Sequence, residues 1–449
     1  MPKQTAFATR LRALALFVAI LSCTALAPPA SAAVGAHLVK DIRFGAGSDP
    51  EGLTAVGDTL FFSAQGPGGR ELWRSDGTEA GTVRVKNIRS GSEPSWPIEL
   101  TNVDGTLFFS AFDGIGWGLW TSDGTEPGTV LVDRISVDSM VPYLGEAFFV
   151  VGDDVGDRLW RSDGTLDGTR PVKLIGEWPN RFITELEVAG NRLYIGVTGG
   201  DGETDELWVS DGTESGTKHV KTINNVTGGF SVHTLTGAGG RLFFLRDTEA
   251  CADCGAPNPA VLWTSNGTAA GTRRVNGPQS AYNLIAARGS VMFQSGEQLW
   301  KSNGSSAGTR KLGNFSVSAR NAMTKVGAIV YFAGDGLWKT DGTVAGTQQV
   351  ADVMPHFTPP CSPHGPCSFV HRDYDPVGVR SKLYFPADSP GDGIELWSSD
   401  GTDAGTELVA DVRLGTDSSR PASLVSVAGN LFFVANDGVH GRELWRFVP

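Results

Sequence analysis

Charge is scarce in this 449-residue sequence, and what there is leans acidic. Only 19% of residues are charged and the formal net charge is −12. That balance excludes the basic footprint that would hold nucleic acid or anionic lipid. Beyond the first 32 residues no run reaches the ~18 apolar residues that cross a bilayer, so no membrane span is expected. Helical periodicity is missing throughout. Missing too are a nucleophile elbow, an HExxH helix, a P-loop and a dinucleotide fingerprint. No catalytic residue, cofactor or metal is therefore assigned. Scattered loop carboxylates still leave a polysaccharide-acting hydrolase open as an alternative.

Residues 1–32 read as a secretory signal peptide. Lys3, Arg10 and Arg12 form a positive start, ALALFVAILSCTALA an apolar middle, and Ala30-Ser31-Ala32 a small-residue cleavage site. The alternative is lipoprotein processing at Cys23, preceded by Ser22. Either way the chain is expected outside the cell, secreted or at its surface. Four further cysteines fall in two local pairs, and in an exported chain these favour disulfides Cys251–Cys254 and Cys361–Cys367. A zinc site using them with His364 is the weaker alternative, because the second pair does not keep the short spacing of the first.

What the sequence has instead is Gly, at 59 residues, and repetition. Leu-Trp recurs nine times, with Trp at 73, 120, 160, 208, 263, 300, 338, 397 and 445. Upstream of each lies a run such as LFFSA at Leu60 or LYFPA at Leu383. After the first eight comes a phrase such as ELWRSDGTEAGT, then a strand such as VRVKNI at Val83. Four runs rich in Val, Leu, Phe and Thr, parted by Gly, Asp and Asn, predict a four-stranded antiparallel meander. Residues 36–449 give roughly 46 per copy, a propeller-blade period. Adjacent Phe residues of LFF point to opposite faces, so each sheet must lie between two others. The last copy lacks its fourth strand, and HLVKDI at His37 is a spare copy of it. The prediction is an all-β fold: a β-propeller of about nine four-stranded antiparallel blades over 33–449, closed by the N-terminal strand. The alternatives are eight blades or an incompletely closed array.

The phrase ELWxSDGTxxGT resembles the repeat of bacterial exported ELWxxDGT-repeat proteins, over essentially all of 36–449. The resemblance implies a secreted, propeller-like repeat protein and no catalytic residues. The turn also resembles the sialidase Asp-box, S-x-D-x-G-x-x-W, except that here the Trp precedes the Asp.

The repeats test their own chemistry. The acidic position of the phrase is Asp at 76, 123, 163, 211, 341 and 400 but Asn at 266 and 303. A calcium ligand or general acid needs the carboxylate, whereas a turn accepts either residue. The phrase is therefore read as a hairpin loop. Its two glycines are expected at positive φ, and its final Thr is expected to close the loop. The repeated Trp is read as a wedge between blades. Strand alternation puts the loops after the second and fourth strands on one face, here called upper, and the Asp-Gly-Thr loops on the lower. Trp96, Trp117 and Trp178, which lie outside the repeat, fall on the upper face. So do the cysteine insertions, the acidic loops near Asp113, Val151 and Gly199, and His356, His364 and His371, read as solvated loop residues. Loops on a rigid scaffold are where binding resides. The expectation is a monomeric binding or adhesion module with an extracellular glycan or surface protein on that face, at Trp96, Trp117 and Trp178. A purely structural surface or matrix role is the other alternative.

Overall fold

The computed structural model describes residues 35–177, 181–199, 204–224, 232–247, 260–313, 323–357, 376–389 and 391–449. They form nine antiparallel sheets in chain order and contain no helix. Blade 1 is Glu51–Val56, Thr59–Gly66, Gly69–Ser75 and Val83–Arg84; blade 2 is Ile98–Val103, Thr106–Phe112, Trp117–Ser122 and Val130–Asp133. Blades 3 to 8 repeat the meander, and blade 8 carries a fifth, short strand. Blade 9 is Ala422–Val427, Asn430–Asn436 and Arg442–Val448, completed on its outer edge by Gly35–Lys40. There Leu38 lies opposite Trp445. The first strands of successive blades touch around the whole circle, and Glu51–Val56 meets Ala422–Val427 to finish it. The ring therefore has nine blades and is closed, which excludes the eight-bladed and open alternatives.

Nine apolar clusters fill the seams between blades. Leu60, Phe62 and Trp73 of blade 1 pack with Phe432 and Leu444 of blade 9. Phe61 and Leu72 point the other way, to Leu107, Phe109 and Trp120 of blade 2. The same alternation makes the remaining seams; Phe149 and Trp160, for example, meet Phe108 and Leu119. Each Trp is thus a wedge between blades. The second Phe of LFF sits opposite it on the next strand, with Phe109 and Trp120 stacked at 6.4 Å. Burying both faces of every sheet is what demands a closed ring.

The Asp-Gly-Thr phrase is a self-satisfied loop. In blade 1, Asp76 Oδ1 accepts from Thr78 N (2.9 Å) and Thr78 Oγ1 (2.7 Å). Gly81 N donates to Thr78 Oγ1 at 2.9 Å, and the Thr82 hydroxyl donates to Thr78 O at 2.7 Å. Asn266 and Asn303 accept the same pair of bonds through Oδ1. One neutral oxygen suffices, so the carboxylate charge is dispensable. The first glycine behaves as expected: Gly124 has φ +88° and lies against Phe61 of the preceding blade. The second does not. Gly81 and its counterparts have ordinary φ, and a Cβ on Gly81 would fall 2.1 Å from the Asp76 carboxylate. Space, not backbone conformation, requires that glycine. Lys40 and Lys86 reach across seams to cap the loop carbonyls Thr82 O and Thr129 O. The loop is joinery between blades as well as a turn.

Candidate functional site

Trp96 and Trp117 share the upper end of blade 2. Ser95, just before Trp96, accepts at its carbonyl from Phe112 N (2.8 Å), and Phe112 lies opposite Trp117 across the strand pair. The Phe112 and Trp117 rings are 6.1 Å apart, and Arg70 lies over the Trp96 ring at 5.9 Å. Arg70 is itself held by Asp49 O (2.9 Å) and Glu51 (3.3 Å). The Asp113–Gly116 turn before Trp117 is fixed by Arg134, which grips Asp113 through two bonds of 2.9 and 2.6 Å. That guanidinium holds the Asp113 carboxyl well below the usual range. Trp178 lies outside the described residues, as do Cys23, Cys251, Cys254, Cys361, Cys367, His364 and His371. His356 is half-buried, and burial lowers its pKa.

Trp96 is 48% exposed and has φ +50°. A left-handed backbone costs a side-chain-bearing residue about 1–2 kcal/mol. Its surroundings enforce it. Ser95 Oγ donates to the buried Glu71 Oε2 at 2.6 Å, which also accepts from Ile88 N at 3.0 Å. Two other blade connections repeat this clamp. Ser48 N and Oγ donate to Glu443 at 2.9 and 2.5 Å, and Ser419 N and Oγ donate to Glu395 at 2.6 and 2.5 Å. Each clamp is followed by a left-handed residue and a proline: Asp49-Pro50 (φ +45°), Trp96-Pro97 (φ +50°) and Arg420-Pro421 (φ +51°). A constant Glu–Ser clamp thus presents a different side chain at each of three consecutive seams, 8/9, 9/1 and 1/2. Sequence reasoning missed this array. Its signal was S-x-P paired with the Glu of E-L-W one blade earlier.

Apolar exposure concentrates in the same sector. Among the described residues, the four most exposed large apolar side chains are Phe44 (95%), Leu414 (86%), Ile115 (80%) and Val439 (75%). All four sit on upper-face loops of blades 8, 9, 1 and 2. A depression of about 470 Å³ lies at the seam of blades 8 and 9, lined by Arg413, Thr416, Asp417, Ser418, Ser419, Arg420, Asn436 and Arg442.

A second group, also missed, occupies the upper end of the seam between blade 4 (Arg181–Ala189, Arg192–Gly199, Thr204–Ser210, Lys218–Asn224) and blade 5 (opening with Val232–Ala238 and Arg241–Asp247). Asp205 is 1% exposed and accepts from Thr198 Oγ1 at 2.6 Å; burial pushes it up to about 6. Burial likewise lifts Glu185 to about 7, with Leu235 N donating to it at 3.1 Å. His233 Nε2 meets Asp247 Oδ1 at 3.0 Å. Carboxyls raised into this range suit proton transfer near neutrality. Among the described residues no His, Cys, Asp and Glu group of three or more is placed to hold a metal ion, and no helix is long and apolar enough to cross a membrane.

No family model and no curated protein matches the sequence. Among solved structures, the computationally designed Ika8 protein is 12% identical, with 92% of this chain and 99% of that one covered and a TM-score of 0.47. Puromycin hydrolase is 14% identical with a TM-score of 0.42; the match covers 88% of this chain and 60% of that one. The β-propeller domain of the Trilobed protease from Pyrococcus furiosus is 11% identical over 70% and 95%, with a TM-score of 0.36.

Proposed function

We propose that this is an exported binding module of the ELWxxDGT-repeat kind, and that the upper face of blades 8, 9, 1 and 2 takes an extracellular glycan. The observation that carries the reading is Trp96, half exposed and kept in a strained backbone that a glycine would relieve. Strain of this sort persists at functional positions because the surroundings over-determine it. Trp96, Trp117 and the arginines around them supply apolar faces and fork-like donors, the combination that recognises sugar rings and their oxygens. On the lower face, Oδ1 of the Asp or Asn and the hydroxyls of each phrase are engaged in the turn network. A glycan array probed with the full exported chain tests the reading. Binding that falls at least tenfold in both Trp96→Gly and Trp117→Ala supports it. Binding unchanged in both variants places the ligand elsewhere, and binding to a surface protein alone changes the ligand class.

One observation favours a second reading. Glu185, held by Leu235 N, and Asp205, held by Thr198 Oγ1, sit at one seam with pKa values raised to about 7 and about 6, and in this reading they share acid and base roles in cleaving a polysaccharide. Release of reducing ends from a polysaccharide panel, abolished by Glu185→Gln and by Asp205→Asn, is the expected result if that reading holds. Equal release by wild type and variants excludes these two carboxyls.

A further inference from the structure

We infer that the depression at the seam of blades 8 and 9 is an oxyanion subsite, taking the carboxylate or sulfate group of an acidic glycan; this rests on the binding reading above and names its ligand class. The lining is rich in donor side chains, although Ser419 gives both of its hydrogens to Glu395. Arg413, Arg420 and Arg442 bring three guanidinium groups to one depression of about 470 Å³ in a chain whose formal net charge is −12. The one carboxylate there, Asp417, is already taken by Arg413 at 2.8 Å. Arg442 comes no nearer than 4.0 Å to Asp49, and among the described residues the Arg420 guanidinium has no ion-pair partner. Asn436 Oδ1 accepts from Gly438 N at 2.8 Å, which turns its amide NH2, a donor, outward. Ser418 Oγ accepts from Ile394 N at 2.9 Å, so its hydrogen is free to donate.

The Arg420 backbone is fixed before any ligand arrives. Arg420 N donates to Ile394 O (3.2 Å), Asn436 N donates to Ser419 O (3.0 Å), and the Glu395–Ser419 clamp lies directly beneath. Residue 420 has φ +51° and precedes Pro421, the geometry that presents Trp96 two seams away. Two arginines without close partners around a concave, donor-lined floor match the geometry of a carboxylate or sulfate. A neutral sugar would leave those charges uncompensated.

The pocket and the wider reading separate in one set of measurements on the full chain. Sodium galacturonate and sodium sulfate, with galactose as the neutral control, are titrated against wild type, Arg420→Ala and Arg442→Ala, with circular dichroism verifying the fold. The expected result is saturable binding of galacturonate, sulfate or both, weakened at least tenfold in each variant, and none of galactose. Galacturonate alone identifies a uronate subsite, and sulfate alone a sulfate-ester subsite. The subsite is overturned if neither anion binds, or if binding survives Arg420→Ala and Arg442→Ala. Polygalacturonate, dextran sulfate and neutral dextran are then compared. Preference for neutral dextran, insensitive to Arg420→Ala, overturns the anionic class while leaving the binding face intact. Small-anion binding without any polymer binding upholds the subsite and overturns the glycan-binding reading.

Discussion

Replacing Glu443 by Leu should open the seam that closes the ring. Glu443 is fully buried on the last strand, and it accepts from Ser48 N (2.9 Å) and Ser48 Oγ (2.5 Å) in the segment joining the N-terminal strand to blade 1. The backbone N–H groups of Ile42 and Arg43 converge on it as well. Ser48 O in turn accepts from Gln65 N at 2.8 Å, so the clamp ties blade 9 to blade 1. Burial raises Glu443 from the ordinary 4.5 to about 7, so its contribution is present at low pH and lost as pH rises through about 7, and the assay belongs at about pH 5. Leu fills similar space and strands at least three donors. At about 1–3 kcal/mol for each stranded donor, a loss of about 3 kcal/mol is a lower expectation. That corresponds to a roughly 150-fold larger opening constant. Hydrogen exchange of Gly35–Lys40 and Arg442–Val448 reads this directly, because these strands pair only with blade 9. Ser48→Ala, which removes one donor and strands none, should cost about 1 kcal/mol. Exchange within about threefold of wild type in Glu443→Leu would refute the clamp, since the stranded donors would then carry no cost.

Asp123→Asn should leave the thermal midpoint unmoved, because Asn266 and Asn303 already serve that loop, whereas Asp123→Ala should lower it measurably; equal effects would restore a role for the charge. The pH dependence follows from Glu185 and Asp205, whose native pKa values of about 7 and about 6 lie above their ordinary 4.5 and 3.8. Between those values the native state holds protons that the unfolded chain has released, so stability is fully present at low pH and is lost as pH rises through that window. Thermal melts should therefore fall from about pH 5 to about pH 8, less steeply in Glu185→Gln, and an unchanged slope would contradict the assignment. Trp96→Gly should raise the urea midpoint or leave it level, by about 1 kcal/mol at most, while lowering ligand affinity. A clear loss of stability would make Trp96 a packing residue.

Most of the fold was legible because its determinants are local. LFF and Leu-Trp alternate side chains every second residue, which states that both faces of each sheet are covered. The spare strand HLVKDI, His37–Ile42, and the short last copy announce their pairing. Asp and Asn at one position of the phrase reveal a turn, because each repeat is a substitution made in the same setting. The second glycine of the phrase was misread because its reason is tertiary: the Asp76 carboxylate occupies the space beside Gly81. The site was only half legible. Alternation placed Trp96 and Trp117 at one end, but the Glu–Ser clamps join residues 24 and 395 positions apart and, among the described residues, recur at three of the nine seams. Glu185 and Asp205 look ordinary in sequence, and only burial at the 4/5 seam raises them.

The central claim is that function sits on the upper face and the Asp-Gly-Thr loops are joinery. The most direct measurement titrates the strongest glycan-array hit against wild type, Trp117→Ala and the lower-face variant Asp123→Asn in parallel. The account predicts at least a tenfold loss in Trp117→Ala and none in Asp123→Asn. Full affinity in Trp117→Ala together with a loss in Asp123→Asn would contradict it.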